Sequence, residues 1–264
     1  QLPTPFRRIM SLPRKTGPAQ VDWYRGELAE LRSGMQEHFG LEISDAKLWE
    51  AIRLHNETRR LQRQLYRLRT AEEPPIGGAD TLAVVVAGTA MPKKTYNGML
   101  RELLDELRDA EGISGYRARL MVLGSILDDP DYLRVIEDQG GLVVTDSTCF
   151  GSRLFWEDVR EEGDDPIQAL ARYYVADRHS CPRTYGEHER RAEFVRGMIR
   201  EFQVDGVVGE RLSFCDQWGF AQYSIENDFK DDGVPYLSLE REYILSGVGQ
   251  LRTRIQAFLE TLGG

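Results

Sequence analysis

The chain has 264 residues, a net charge of −9, 41% hydrophobic and 29% charged residues. This is an ordinary globular balance, and the acidic surplus excludes tight nonspecific nucleic-acid binding, which needs a basic face to displace counterions. No apolar run reaches the ~18 residues that span a bilayer, and the first residues lack the basic and apolar parts of a signal peptide, so no membrane partner and a cytoplasmic location are expected.

Residues 1 to 19 are rich in proline and basic, and read as a connector. Residues 1–75 hold 13 Lys+Arg against 10 Asp+Glu, so the positive charge gathers in this first part. Val21 to Phe39 has a helical apolar face built on Trp23, Tyr24, Leu28, Leu31 and Met35, with Gly40 to end it. Ser44 is a good N-cap for a long helix to about Leu68. Leu48, Ile52, Leu61, Leu65 and Leu68 fall on its inner side, and Arg59, Arg60, Arg63, Arg67 and Arg69 are assigned to an exposed, solvated or salt-bridged side. The sharper alternative for that arginine run is contact with an acidic partner or with coenzyme A phosphates. Glu72 to Gly78 reads as a linker.

From Ala79 the rhythm changes. Short apolar runs that end in glycine or polar residues predict strands at Leu82–Ala87, Arg119–Leu123, Gly141–Thr145, Val204–Val208 and Val234–Leu239. Helices are predicted between and after them, at 96–110, 131–139, 166–179, 187–202, 217–229 and 247–262. Strands buried on both faces and alternating with helices indicate an α/β fold with a parallel, doubly wound sheet flanked by helices. The two helices before it form an N-terminal extension.

Ligands of such a sheet bind beyond the carboxyl ends of the strands. Cys149 and Cys215 both follow predicted strands, while Cys181 lies in an irregular stretch between helices. Thiolates suit Fe–S clusters or zinc, and a helix N-terminus lowers a thiol pKa. The spacing contains no C-x2-C pair, so by residues alone small buried packing groups are the better fit for the three cysteines. Arg153, in the loop after the third predicted strand, is a candidate for substrate or interface contact, with a structural salt bridge as the alternative. His179 reads as a capping or surface residue, and Arg252 and Arg254 as structural. No G-x-G-x-x-G, P-loop, H-E-x-x-H or G-x-S-x-G occurs, which removes dinucleotide folds, intrinsic ATP hydrolysis, zincins and α/β-hydrolases.

The segment Val143–Arg153 (VVTDSTCFGSR) resembles the D-component family of 2-hydroxyglutaryl-CoA dehydratase, which also contains benzoyl-CoA reductase subunits. Ala169–Tyr174 with Cys181-Pro182, Asp205–Val208 leading to Cys215, Val234–Glu240 and Gln250–Glu260 match in order, and the helix with Asn56 and Arg59 is similar to the family's inter-lobe region. The resemblance implies an oxygen-sensitive enzyme of two homologous subunits, each with a 4Fe–4S cluster held by three cysteines between two α/β lobes. A separate ATP-dependent activator injects an electron, and an acyl-CoA thioester accepts it as a ketyl radical before dehydration or ring reduction. On this pattern residues 1–78 form the connector and helical extension, and residues 79–264 the C-terminal α/β lobe. Cys215 matches a cluster ligand, whereas Cys149 and Cys181 match site-lining positions. The two other ligands belong to an N-terminal lobe not seen ahead of Gln1, so the chain by itself is expected to be inactive and free of cluster. The alternative is a non-catalytic α/β binding or assembly module with structural cysteines; a flavodoxin-like sensor has no motif in its favour.

Overall fold

The computed structural model describes residues 6–245 and 247–263. The first five residues of the expected connector lie outside that range. The rest of the connector lies against α1 (Pro18–Phe39): Arg8 pairs with Glu30, and the Ser11 amide donates to Glu27. Gly40 closes α1 in the left-handed conformation, φ +63°. Helix α2 (Asp45–Arg67) starts on the Ser44 hydroxyl, which accepts from the Lys47 amide at 3.3 Å, and ends in a 3-10 turn at Leu68–Thr70.

The predicted first strand is instead a helix, α3 (Gly78–Ala90). Its buried positions Ala79, Leu82 and Val85 recur at helical spacing, while Asp80, Ala83 and Ala87 face outward. A short apolar run does not distinguish strand from helix, and alanines on the outer face hide the polar stripe that would have marked it. Tertiary structure holds its start: the Glu137 carboxylate accepts from the amides of Gly78 (2.6 Å) and Ala79 (3.1 Å). The expected linker therefore leads straight into a packed element.

Helix α4 (Lys93–Glu106) comes next, and then the four strands: β1 (Ala118–Gly124), β2 (Gly141–Ser147), β3 (Gly206–Leu212) and β4 (Tyr236–Arg241). Between them stand α5 (Pro130–Glu137), α6 (Pro166–Arg172), α7 (His188–Glu201) and α8 (Asp216–Asp231), and α9 (Val248–Leu262) closes the chain. All pairings are parallel and the order is β2-β1-β3-β4. Of the five strands read in the sequence, four form, near their predicted places.

Alternate residues divide the sheet between two cores. Met121, Leu123, Leu142, Val144 and Val207 pack with α7, α8, Tyr66 and Phe155. Leu120, Val122, Val143 and Val208 pack with α3, α5 and α9. Helix α6 runs into one wide π turn, Tyr173–Asp177, which inserts an extra residue before Arg178.

The arginine run of α2 is not all exposed. Arg60 and Arg63 pair with Asp158, but Arg59 is buried against Tyr173, and Arg69 is buried over the ring of Tyr66 and donates to the Val143 carbonyl. The tyrosine that covers Arg59 arrives from a distant helix, so the periodicity of α2 alone could not reveal the burial.

Candidate functional site

The strand order fixes where a ligand cleft can form. β2 lies on one side of β1 and β3 on the other, so the chain reverses direction between β1 and β3, and the loops there splay apart at the carboxyl rim. Three loops meet at this rim, after β1, β2 and β3.

The β2 loop is tied down by Asp146. Its Oδ1 accepts from the amides of Thr148 (3.2 Å) and Ser152 (2.9 Å), and its Oδ2 accepts from the buried Tyr66 hydroxyl. Burial, followed by the Asp146 charge, pushes the Tyr66 phenol well up and keeps it a donor. Gly151 passes so close to Asp146 that a Cβ would clash with its carboxylate. This turn carries Cys149, whose amide donates to the Ser125 carbonyl at 3.0 Å, binding the β2 loop to the β1 loop.

The β3 side is joined through Glu210. This carboxylate is fully buried, pairs with Arg241 at 2.8 Å and accepts from Ser125 Oγ at 3.2 Å. Burial pushes its pKa up in spite of the Arg241 charge. Ser125 Oγ in turn accepts from the Leu212 amide at 2.9 Å. Then the chain turns sharply: Phe214 has φ +67° and an exposed ring, and Cys215 comes next as the cap residue of α8. A bulky residue in the left-handed region is strained, and here that conformation sets Cys215 at the rim, half-buried.

Arg153 occupies the space between the loops. It is 6% exposed. One amino group, Nη2, donates to the Gly124 carbonyl at 2.6 Å and to Cys149 Sγ at 3.3 Å, and Nε donates to the Thr148 carbonyl. The guanidinium lies 4.8 Å from the ring centroid of Trp218 on α8. The salt bridge considered for it is not found among the described residues. Its other amino group, Nη1, is buried without a hydrogen-bond partner among the described residues, as are Trp218 Nε1 and Arg191 Nε.

The cysteines are free and partly exposed. Burial pushes the Cys149 thiol up; Arg153 opposes this, while Cys181, Glu210 and Cys215 add to it. Cys181 and Cys215 are thus each within electrostatic reach of Cys149. Cys181 also faces Arg191, whose pKa burial lowers and Cys181 raises. Among the described residues no three His, Cys, Asp or Glu side chains stand close enough together to hold a metal ion.

His179 is neither a cap nor a surface group: its ring stacks on Phe194 at 3.7 Å and faces Glu157 at 3.3 Å. Arg254 donates to the Ser238 carbonyl at 2.7 Å, and Arg252 is exposed. Trp218, Arg191 and Glu210 carried no motif signal in the sequence. Only the topology brings them to the rim.

The model of the family described as 2-hydroxyglutaryl-CoA dehydratase, D-component matches residues 2–262. A protein of Escherichia coli named "Putative dehydratase subunit YjiM" is 31% identical over 96% of this chain and 67% of its own length. The (R)-phenyllactyl-CoA dehydratase beta subunit of Clostridium sporogenes is 26% identical over 84% of this chain. A benzoyl-CoA reductase subunit of Thauera aromatica is 27% identical over 83% of it. The chain spans 59% and 57% of the length of those last two relatives. With a family match along nearly its whole length, and a relative 31% identical over 96% of it, this chain belongs to the 2-hydroxyglutaryl-CoA dehydratase D-component family.

Proposed function

We propose that this chain is part of an iron–sulfur subunit of a 2-hydroxyacyl-CoA dehydratase or benzoyl-CoA reductase-like enzyme. In this reading residues 79–264 are the C-terminal lobe, and residues 1–78 lead into it as the inter-lobe region. The enzyme would act on an acyl-CoA thioester, which accepts one electron as a ketyl radical. Its partners would be a homologous second subunit and a separate ATP-dependent activator, all in the cytoplasm. Among the described residues no helix is long and apolar enough to cross a membrane.

The observation that carries the reading is the set of buried, unpartnered donors around the cysteines. Arg153 Nη1, Trp218 Nε1 and Arg191 Nε have no acceptor among the described residues, and a buried donor left unmatched costs roughly 1–3 kcal/mol. An anionic, sulfur-rich group would supply acceptors and offset the buried guanidinium charge. These residues therefore fit a 4Fe–4S cluster, and Cys215 would ligate it, from the N-terminus of α8 where backbone amides favour negative charge. Cys149 and Cys181 would line the site, with Cys149 held by Arg153. When bound, the cluster supplies a low-potential electron.

Iron and acid-labile sulfide analysis after anaerobic assembly of the whole subunit tests this. Cys215→Ser should lose most of its iron, while Cys149→Ser and Cys181→Ser should retain it. Full iron in Cys215→Ser would overturn the assignment. A subunit that takes up no iron in any form would favour a non-catalytic assembly module.

A further inference from the structure

A second site lies away from the cysteines. A cavity of about 240 Å³ opens between α2, the junction of α3 and α4, and the wide turn after α6. Its charged lining has a single sign, Arg59, Lys93 and Arg178 beside His55, with no carboxylate among the described residues.

This is unusual for the chain, which has 43 acidic residues to 34 basic ones. On the same helix, Arg60 and Arg63 meet Asp158. The cavity cations meet only neutral groups among the described residues. Arg59 Nε donates to the Tyr173 hydroxyl at 3.1 Å and Nη1 donates to Asn56 Oδ1 at 3.0 Å, although the residue is only 9% exposed. Lys93 donates to the Gly88 carbonyl, and Arg178 lies 5.6 Å from the Tyr174 ring centroid. The charges of Arg59 and Lys93 crowd one another and His55. His55 is lowered by burial and then by Arg59 and Lys93, and Lys93 is lowered by burial and then by Arg59. Clustered like charges with no carboxylate beside them are costly, and an anion in the cavity would remove the cost. Two forked guanidiniums and an ammonium suit a phosphate group in particular.

We propose that this cavity binds a phosphate dianion between Arg59, Lys93 and Arg178. The phosphate is either inorganic or carried by a larger ligand. A phosphate of a coenzyme A thioester would be one such source, and that option rests on the function proposed above; the anion site itself does not.

Isothermal titration of the 264-residue chain at low ionic strength, with inorganic phosphate, coenzyme A and 3′-dephospho-coenzyme A, tests it, with acetate as the carboxylate control. Saturable phosphate binding is expected, weakened about tenfold in both Arg178→Gln and Lys93→Gln and unchanged in Arg252→Gln, with thermal melts to verify folding. Coenzyme A that competes with phosphate would identify a coenzyme A source. Phosphate binding without coenzyme A binding would identify a free anion. Failure of both to saturate would overturn the site, as would acetate binding as tight as phosphate. If coenzyme A binds equally well to both variants, this cavity is not its site, and the acyl-CoA reading survives without it.

Discussion

Single side chains at the rim carry more than one duty. Arg153 holds the β1 and β2 loops by their carbonyls and also touches Cys149. Its charge lowers a thiol that burial raises above its ordinary 9.0. Arg153→Gln should therefore raise the Cys149 pKa further and slow its alkylation by iodoacetamide several-fold at pH 8; an unchanged rate, read by peptide mass spectrometry, would show that the contact has no electrostatic weight. The position of Arg153 in a motif was legible in the sequence, but its lack of a carboxylate was not. Arg59 shows the converse limit. Its helical spacing put it on the outer side of α2, yet Tyr173, well over a hundred residues later, covers it. Burial at such positions depends on partners that no local pattern contains.

Among the elements, α3 is the one misread, and the reason lies in its packing. Gly78 lets the helix approach β2: a Cβ there would sit 2.5 Å from Val143 Cβ and 2.7 Å from its carbonyl oxygen. Gly78→Ala should cost about 1–3 kcal/mol by overpacking, seen as a lower urea midpoint with the slope unchanged. The carboxylate at the start of α3 adds a pH dependence. Burial raises Glu137 above its ordinary 4.5, outweighing the Gly78, Ala79 and Val143 amides. A raised acid contributes most to stability below its unfolded pKa, and the contribution fades as pH climbs through the folded value. The stability of the wild type relative to Glu137→Gln should therefore fall as pH rises from 4.5; urea titrations at stepped pH that show a constant difference would contradict this. β1 and β2 are plain in the sequence because apolar runs ending in glycine or polar residues fit strands buried along their whole length. β3 and β4 each begin two residues after the start of the predicted run, because Val204 and Val234 pack against the core before the strands start.

For the whole molecule, the class of fold and the rim position of Cys149 and Cys215 followed from strand and helix alternation. The cationic cavity did not, since its lining comes from helices that only the folded chain brings together. The order of the sheet has one more consequence. β1 joins β2 across a short crossover, but Leu120 of β1 pairs with Gly206 of β3 only after the whole stretch containing α6, the wide turn and α7 has been gathered in. Closing so long a loop is entropically slow. The β1–β2 unit can therefore assemble early, with Cys149 still open to oxidants, while Cys215 arrives with the later β3–β4 half. The two cysteines reach the same rim only when these halves join.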